Sequence, residues 1–337
     1  MNRSAKSVSE LPTPTIEIGP SDPGYLEATF SACKQLAKSH YENFTVGSKM
    51  IPKKLRPHFY SIYAFSRCVD DLGDMAEGDR LALLDLWEEQ LDACYLNSAN
   101  SKGPTHPYFI ALAQTIRLFN IPAVPFKMLI EANRRDQKTT RTETFADLLE
   151  YCTYSANPVG HLILYLCGIK DKKLQRLADL TCTALQLANF WQDVTRDLKI
   201  GRIYIPIEDM QRFGISEHKL AIGKIDDSFR ALMRFEVDRT RQFFVDGYSL
   251  IQFLDRSTRS DFALFTRGGL SILQQIERKG FDVLSSRPTV SGYEKAKILA
   301  STWIRSKLGI SLVPESAFKS VARHTYCLLY TSPSPRA

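Results

Sequence analysis

Glycine and proline are sparse, 17 and 16 among 337 residues, and the stretches between them are long and helix-periodic. No convincing alternation of period two appears, which argues against a sheet, and no GxGxxG fingerprint offers a nucleotide site. The seven cysteines (Cys33, Cys68, Cys94, Cys152, Cys167, Cys182 and Cys327) are an odd, scattered set without a CxxC pair. That pattern argues against a disulfide framework or a zinc site and points to reduced thiols in a cytoplasmic protein. The six histidines show no HxxxH or triad-like grouping, so zinc catalysis and Ser/His/Asp hydrolysis have no support. No apolar run reaches the roughly 18 residues of a membrane-spanning helix, so any membrane contact is expected to be peripheral. A formal net charge of +7 is spread along the chain; it is too weak to imply nucleic acid and suits an anionic substrate or membrane surface.

What is present is the material of a large helical core: 44% hydrophobic and 24% charged residues. Helical spacing predicts helices over 24–39, 52–74, 79–97, 107–119, 123–135, 144–153, 158–168, 171–198, 227–254, 258–281 and 291–308. Pro52 suits a first helical turn, and Pro57 lies near enough to be tolerated or to shift the start. The breaks between helices are too short to separate domains, and no repeat appears. The reading is an all-α fold with one helical domain over 24–325. A Ser/Pro/Thr-rich leader over 1–23 without an apolar h-region is expected to be disordered. The segment 326–337 lacks helical period and reads as an irregular tail, either disordered or a foreign translation joined where the native frame was lost.

The first chemical constellation is Tyr63-Ala-Phe-Ser-Arg67-Cys-Val-Asp70-Asp71-Leu-Gly-Asp74. On a helix, Tyr63, Arg67, Asp70 and Asp74 share one stripe. Two carboxylates one turn apart, with Asp71 beside them, repel each other unless a cation intervenes, and hard oxygen ligands suit Mg²⁺. Gly73 costs a helix interior about 1 kcal/mol against Ala, so the helix is expected to loosen there.

The second constellation is Gln186-Leu-Ala-Asn189-Phe-Trp-Gln192-Asp193-Val-Thr-Arg196-Asp197. Asn189, Asp193 and Asp197 fall on one line of a helix that is otherwise apolar for three turns. Polar groups on such a helix cost on the order of several kcal/mol unless paired, and a metal–diphosphate cluster is the economical partner. Gly201-Arg202-Ile-Tyr204-Ile-Pro206 follows directly and offers a guanidinium to a phosphate. A third stretch, Tyr151-Cys-Thr-Tyr154-Ser-Ala-Asn157-Pro158-Val-Gly160, should kink or break its helix at Asn157-Pro158.

Together, YAFSRCVDDLGD, YCTYSANPVG and NFWQDVTRDLKIGRIYIP resemble the squalene/phytoene synthase family of head-to-head prenyl synthases, over about Tyr25 to Pro314. The resemblance implies an isoprenoid-synthase helical bundle around a central cavity. It also implies Mg²⁺ held by Asp70, Asp74, Asp193 and Asp197, with Asn189 in support. Arg67 and Arg202 would meet phosphate oxygens, and Tyr63 and Tyr204 would line the site. Phe44, Tyr151, Asn157 and Gln192 complete the expected substrate contacts. Aromatic faces from Phe44, Tyr63, Phe65, Tyr151 and Trp191 would steady a carbocation.

Within the family, ENFTVGSKMIPKKLRPHFYSIYAFSR, SANPVG and NFWQD look most like bacterial hydroxysqualene synthases of hopanoid biosynthesis, which convert presqualene diphosphate to hydroxysqualene. Family members that couple prenyl diphosphates usually carry Val-Ala-Gly where this chain has Ser155 to Pro158, and Arg where it has Gln192. The implied partners are a prenyl or presqualene diphosphate and neighbouring enzymes of the hopanoid/squalene route. The expected setting is the cytoplasm, at most peripheral to the inner membrane. Alternatives from the same resemblance are a phytoene, dehydrosqualene or presqualene diphosphate synthase. A non-catalytic assembly factor is the contrasting class, and intact Asp70, Asp71, Asp74, Asp193 and Asp197 argue against it.

Overall fold

Side-chain caps mark six helix starts among the described residues. Asp79, Thr144, Asp171, Ser216, Asp226 and Ser291 each sit just before a helix and accept hydrogen bonds from its first-turn amides. Thr144 with Asp147 and Ser291 with Glu294 close reciprocal capping boxes. A computed structural model describes residues 10–39, 51–96, 103–255 and 258–318. Its helices are α1 (Tyr25–Ser39), α2 (Arg56–Asp74), α3 (Arg80–Ala93), α4 (Pro107–Phe119), α5 (Val124–Asp136), α6 (Phe145–Ser155) and α7 (Asn157–Leu166). They continue as α8 (Lys172–Lys199), α9 (Ile207–Arg212), α10 (Glu217–Ala221), α11 (Asp227–Gly247), α12 (Arg259–Arg278) and α13 (Gly292–Leu308). Among the described residues the sole strand-like pairing is an isolated bridge between Arg141 and Ile203. The fold is all-α.

Several boundaries differ from expectation for local reasons. The helix expected from Pro52 begins at Arg56, with Pro57 in its first turn, where its missing N–H costs nothing. The two short helices α9 and α10 were not anticipated; each is only about one turn and carries no periodic signature. The helix expected over 227–254 tightens into a 3₁₀ turn at Tyr248–Phe253. Within the expected leader, residues 10–23 are described, and Leu11 there is buried against the N-terminal core. Ile16 packs against the same cluster and Thr13 Oγ1 meets His106 Nε2 at 3.2 Å, and together these contacts pin the segment. Phe44 and the tail expected over 326–337 lie outside the described residues.

Two apolar clusters build the core. The N-terminal one joins α1 to α5 around Phe65, Trp87, Phe109 and Phe126, whose rings meet mostly edge to face. Each such buried side chain contributes about 3–5 kcal/mol against truncation to Ala. The C-terminal cluster wraps α8 with α11 and α12, through Leu187, Trp191, Val237, Phe244 and Leu270. Helix α7 ties them, because Leu162 and Leu166 enter the first cluster and Leu164 the second. The acidic stretches thereby sit on α2 and α8, one helix from each cluster. The free cysteines Cys33, Cys68, Cys94 and Cys152 are buried, as small core fillers are.

Candidate active site

Helix α2 presents Phe59, Tyr63, Asp70 and Asp74 along one face, by 3.6-residue spacing, with its N-cap Leu55 continuing the line. Asp70 accepts a hydrogen bond from Asn133 Nδ2 of α5 at 3.3 Å. Crowding by protein pushes its carboxyl up to about 7; Asp74 adds to this, and the Asn133 bond and Arg67 oppose it. Gly73 does not loosen the helix, which runs unbroken to Asp74. A Cβ there would lie 2.1 Å from Asn133 Oδ1, so the glycine is what admits Asn133 to Asp70. Gln137 Nε2 seals the same contact by donating to the Gly73 carbonyl at 2.9 Å. Arg67 is drawn to Asp71, one turn on, with Nε donating at 3.2 Å and Nη2 also bound.

Helix α8 carries Asn189, Asp193 and Asp197, the first exposed and the two carboxylates half-buried. Asp193 is gripped by a fork from Arg287, Nε to Oδ1 at 2.5 Å and Nη2 to Oδ2 at 2.9 Å. Gln192 is buried beside it. Its Nε2 donates to the Pro288 carbonyl at 2.5 Å, and its Oε1 accepts from Arg287 Nη2 at 3.0 Å. Gln192 therefore aims Arg287, where direct substrate contact was expected. Burial pushes Asp197 up to about 7; Asp193 and Asp74 add to this, and Arg202 opposes it.

The loop after α8 is pinned by Ile203 N to Thr140 O at 3.0 Å and Ile207 N to Thr142 O at 2.9 Å. Arg202 N donates to Asp197 O at 2.8 Å while its Nη1 crosses to Asp74 at 2.9 Å, so this residue bridges the two acidic helices. Asp136 of α5 lies 3.8 Å from the same Nη1 and accepts from Tyr151 Oη at 2.8 Å. Burial holds Asp136 up at about 6, against the lowering effect of Arg202 and Tyr151. Burial works against the Arg202 charge, but Tyr204, Asp136 and Asp74 outweigh it and keep the guanidinium protonated. Tyr204 stacks on Phe190 with centroids 4.0 Å apart, and Tyr151 closes the aromatic group 5.8 Å from Tyr204. Phe190, Asp197, Arg202 and Tyr204 line a small cleft.

A larger apolar recess opens at the N-terminal end of the same face. Leu55 just before α2, Phe59 of α2, Ile163 and Leu166 of α7, and Phe262 and Phe265 of α12 line it. From Phe59 to Asp70 the helix rises about 16 Å, which separates the apolar recess from the polar rim along α2.

Arg202 bridges Asp74 and Asp197, and Asp136, Tyr151 and Tyr204 gather beside it, while Asp70 and Asp193 lie one turn back on the same two helices. Asn157 instead is buried at the break between α6 and α7, accepting from Thr183 Oγ1 at 3.0 Å and so fixing α7 to α8. Phe65 and Trp191 are core residues, the latter with its Nε1 donating to Thr240 at 2.7 Å, and neither faces the cleft. Asn133, Asp136, Phe190 and Arg287 belong to the site and went unnoticed in the sequence. The spacing of Asn133, Asp136 and Gln137 on α5 is the one signal that could have found any of them.

The donors fit a hard divalent cation. Asp70 and Asp74 on α2 and Asp193 and Asp197 on α8 offer oxygen donors of the type Mg²⁺ prefers, and burial, with neighbouring carboxylates adding to it, raises Asp70 and Asp197. Among the described residues no three acidic, His or Cys side chains already form a closed metal cage. Mg²⁺ characteristically takes one or two carboxylates and completes its shell with water and phosphate.

The family model for squalene/phytoene synthase matches residues 37–294. A phytoene synthase of Arthrospira platensis is 30% identical over 295 residues, covering 83% of this chain and 94% of the relative. The squalene synthase HpnC of Alicyclobacillus acidocaldarius superposes with a TM-score of 0.73 at 45% identity, over 78% of this chain and 98% of that one. A ligand-bound dehydrosqualene synthase gives a TM-score of 0.76 at 26% identity, over 86% of this chain and 99% of that one.

Proposed function

The chain belongs to the squalene/phytoene synthase family, and on that premise we propose that it converts presqualene diphosphate to hydroxysqualene. The observation that carries the proposal is one face of α2 that runs from a rim of aspartates and arginines to an apolar recess. A substrate with a diphosphate head and a long hydrocarbon body matches both ends.

Arg202 and Arg287 each hold a carboxylate of a different acidic helix, and these guanidiniums are the groups that meet phosphate oxygens. Mg²⁺ held by Asp70, Asp74, Asp193 and Asp197, with Asn189 at the edge, would neutralise charge on the departing diphosphate. Loss of diphosphate leaves a carbocation on the hydrocarbon. Tyr151, Phe190 and Tyr204 offer π faces beside the rim, where a cation is steadied without a nucleophile to trap it early. Rearrangement of this cyclopropylcarbinyl cation breaks a cyclopropane C–C bond, and capture by water then yields hydroxysqualene and releases a proton.

Two observations favour this substrate within the family: the 45% identity to the HpnC enzyme, and Gln192 serving Arg287 where coupling enzymes usually place a further cation. The likeness to phytoene synthases and to dehydrosqualene synthase supports the second reading, coupling of two prenyl diphosphates. Incubation of purified protein and Mg²⁺ with presqualene diphosphate, or with prenyl diphosphates alone, separates them by mass spectrometry. Hydroxysqualene from the first and nothing from the second is the expected result. A coupled hydrocarbon or presqualene diphosphate from the second would replace it.

A further inference from the structure

Helix α13 has only one buried residue, Thr302, across its 17 residues. Its outer stripe carries Tyr293, Trp303, Ile304 and Leu308, and Ile310 extends it beyond the αL cap at Gly309. Exposures of 78% for Tyr293, 58% for Trp303 and 68% for Leu308 make this a contiguous apolar band, where single exposed residues would be unremarkable.

The charges on that stripe have one sign. Lys297 and Lys307 are exposed there, and the Lys307 ammonium lies 5.8 Å from the Trp303 ring. The acid of the helix, Glu294, is turned the other way: it closes the Ser291 cap and accepts from Gln275 at 2.8 Å and Arg278 at 2.6 Å. An apolar stripe with a tryptophan and flanking lysines is the pattern of a helix lying in a bilayer interface, where indole and ammonium sit at headgroup level. No helix of the described residues is long and apolar enough to cross a membrane.

The position of the helix adds a second argument. Arg287, which grips Asp193, stands four residues before the Ser291 cap, and the intervening Pro288 carbonyl is fixed by Gln192. The N-terminal end of the band, at Tyr293, thus follows six residues after the arginine that holds Asp193.

We infer that the outer face of α13 docks the protein on an anionic phospholipid surface, with the cleft rim held next to the bilayer. Tyr293, Trp303, Ile304 and Leu308 enter the acyl boundary, and Lys297 and Lys307 meet the phosphates. The test does not depend on turnover and so stands apart from the functional reading.

Full-length protein is floated with phosphatidylcholine vesicles containing phosphatidylglycerol, and with pure phosphatidylcholine vesicles. Binding to the anionic vesicles, weakened by salt, is the expected result. The triple variant Trp303→Ser, Ile304→Ser, Leu308→Ser should lose at least about tenfold in partitioning while keeping its helical spectrum. Lys297→Gln with Lys307→Gln should lose about fivefold per lysine and most of the salt dependence. Absent flotation of the wild type, or unchanged flotation of the triple variant, overturns the inference. A dimer that the triple variant dissolves, without vesicle binding, would make the face a contact between copies. Flotation of a chain ending at Phe318 but not of the full chain would make residues 319–337 its cover.

Discussion

Arg202 Nη1 donates to the Asp74 carboxylate at 2.9 Å although the two residues stand 128 positions apart. This contact joins the end of one acidic helix to the end of the other. A guanidinium held there is in place before any anion arrives, so its removal should act on turnover. Arg202→Met is expected to lower kcat/KM by about 10²–10³-fold. Arg202→Lys, which keeps charge but not the fork, should recover only part of the loss. Steady-state kinetics alongside circular dichroism would check this; full activity in Arg202→Met would remove the residue from the site.

Gln192 and Arg287 form a second relationship with a consequence for substrate binding. Gln192→Arg places a second guanidinium against Arg287 and removes the Oε1 acceptor that Arg287 Nη2 uses. The expected outcome is about a tenfold rise in KM for the diphosphate substrate, as a bond to a charged group is lost. Gln192→Leu should give a similar rise, since both hydrogen bonds go. Unaltered KM and products in both variants would show that Gln192 does not position Arg287.

Gly73→Ala improves helix propensity by about 1 kcal/mol yet drives a methyl into Asn133. Overpacking of this kind costs about 1–3 kcal/mol, so net destabilisation is expected in urea unfolding. Adding Asn133→Ala should relieve the clash and restore stability, while Asp70 still lacks its partner and activity stays low. A stable, active Gly73→Ala variant would contradict the close approach of α5 to α2.

His106 gives a pH prediction. Burial lowers its imidazole from an ordinary 6.5 to about 4, and Thr13 Oγ1 meets its Nε2 at 3.2 Å. The unfolded chain takes up the proton near 6.5 and the folded chain only near 4. Stability is therefore whole above 6.5 and falls as pH drops through that window, by about 3 kcal/mol at most. Urea midpoints across the window should slope less in His106→Asn than in the wild type, and equal slopes would refute the assignment.

The fold was legible because the helices are long, amphipathic and capped by side chains that announce them, as Asp171 and Ser291 do. The site was legible where polar residues interrupt an apolar line, as Asn189, Asp193 and Asp197 do on α8. What escaped depends on tertiary packing. Arg287 sits in an undistinguished loop until the chain folds 94 residues back onto Asp193. Phe190 and Trp191 are neighbours of similar character, and only the rotation of α8 decides that the first meets Tyr204 and the second Thr240. Gly73 looked like a weakness in α2 because its purpose belongs to α5.

The most direct measurement is Mg²⁺-dependent diphosphate release from presqualene diphosphate by the wild type, Asp70→Asn and Asp193→Asn. The two acidic helices acting as one site predict a fall of about 10³-fold or more in each variant, with substrate retained by the apolar recess and folding unchanged. Near-wild-type release from either variant, at matched Mg²⁺ and with an intact helical spectrum, would contradict the account.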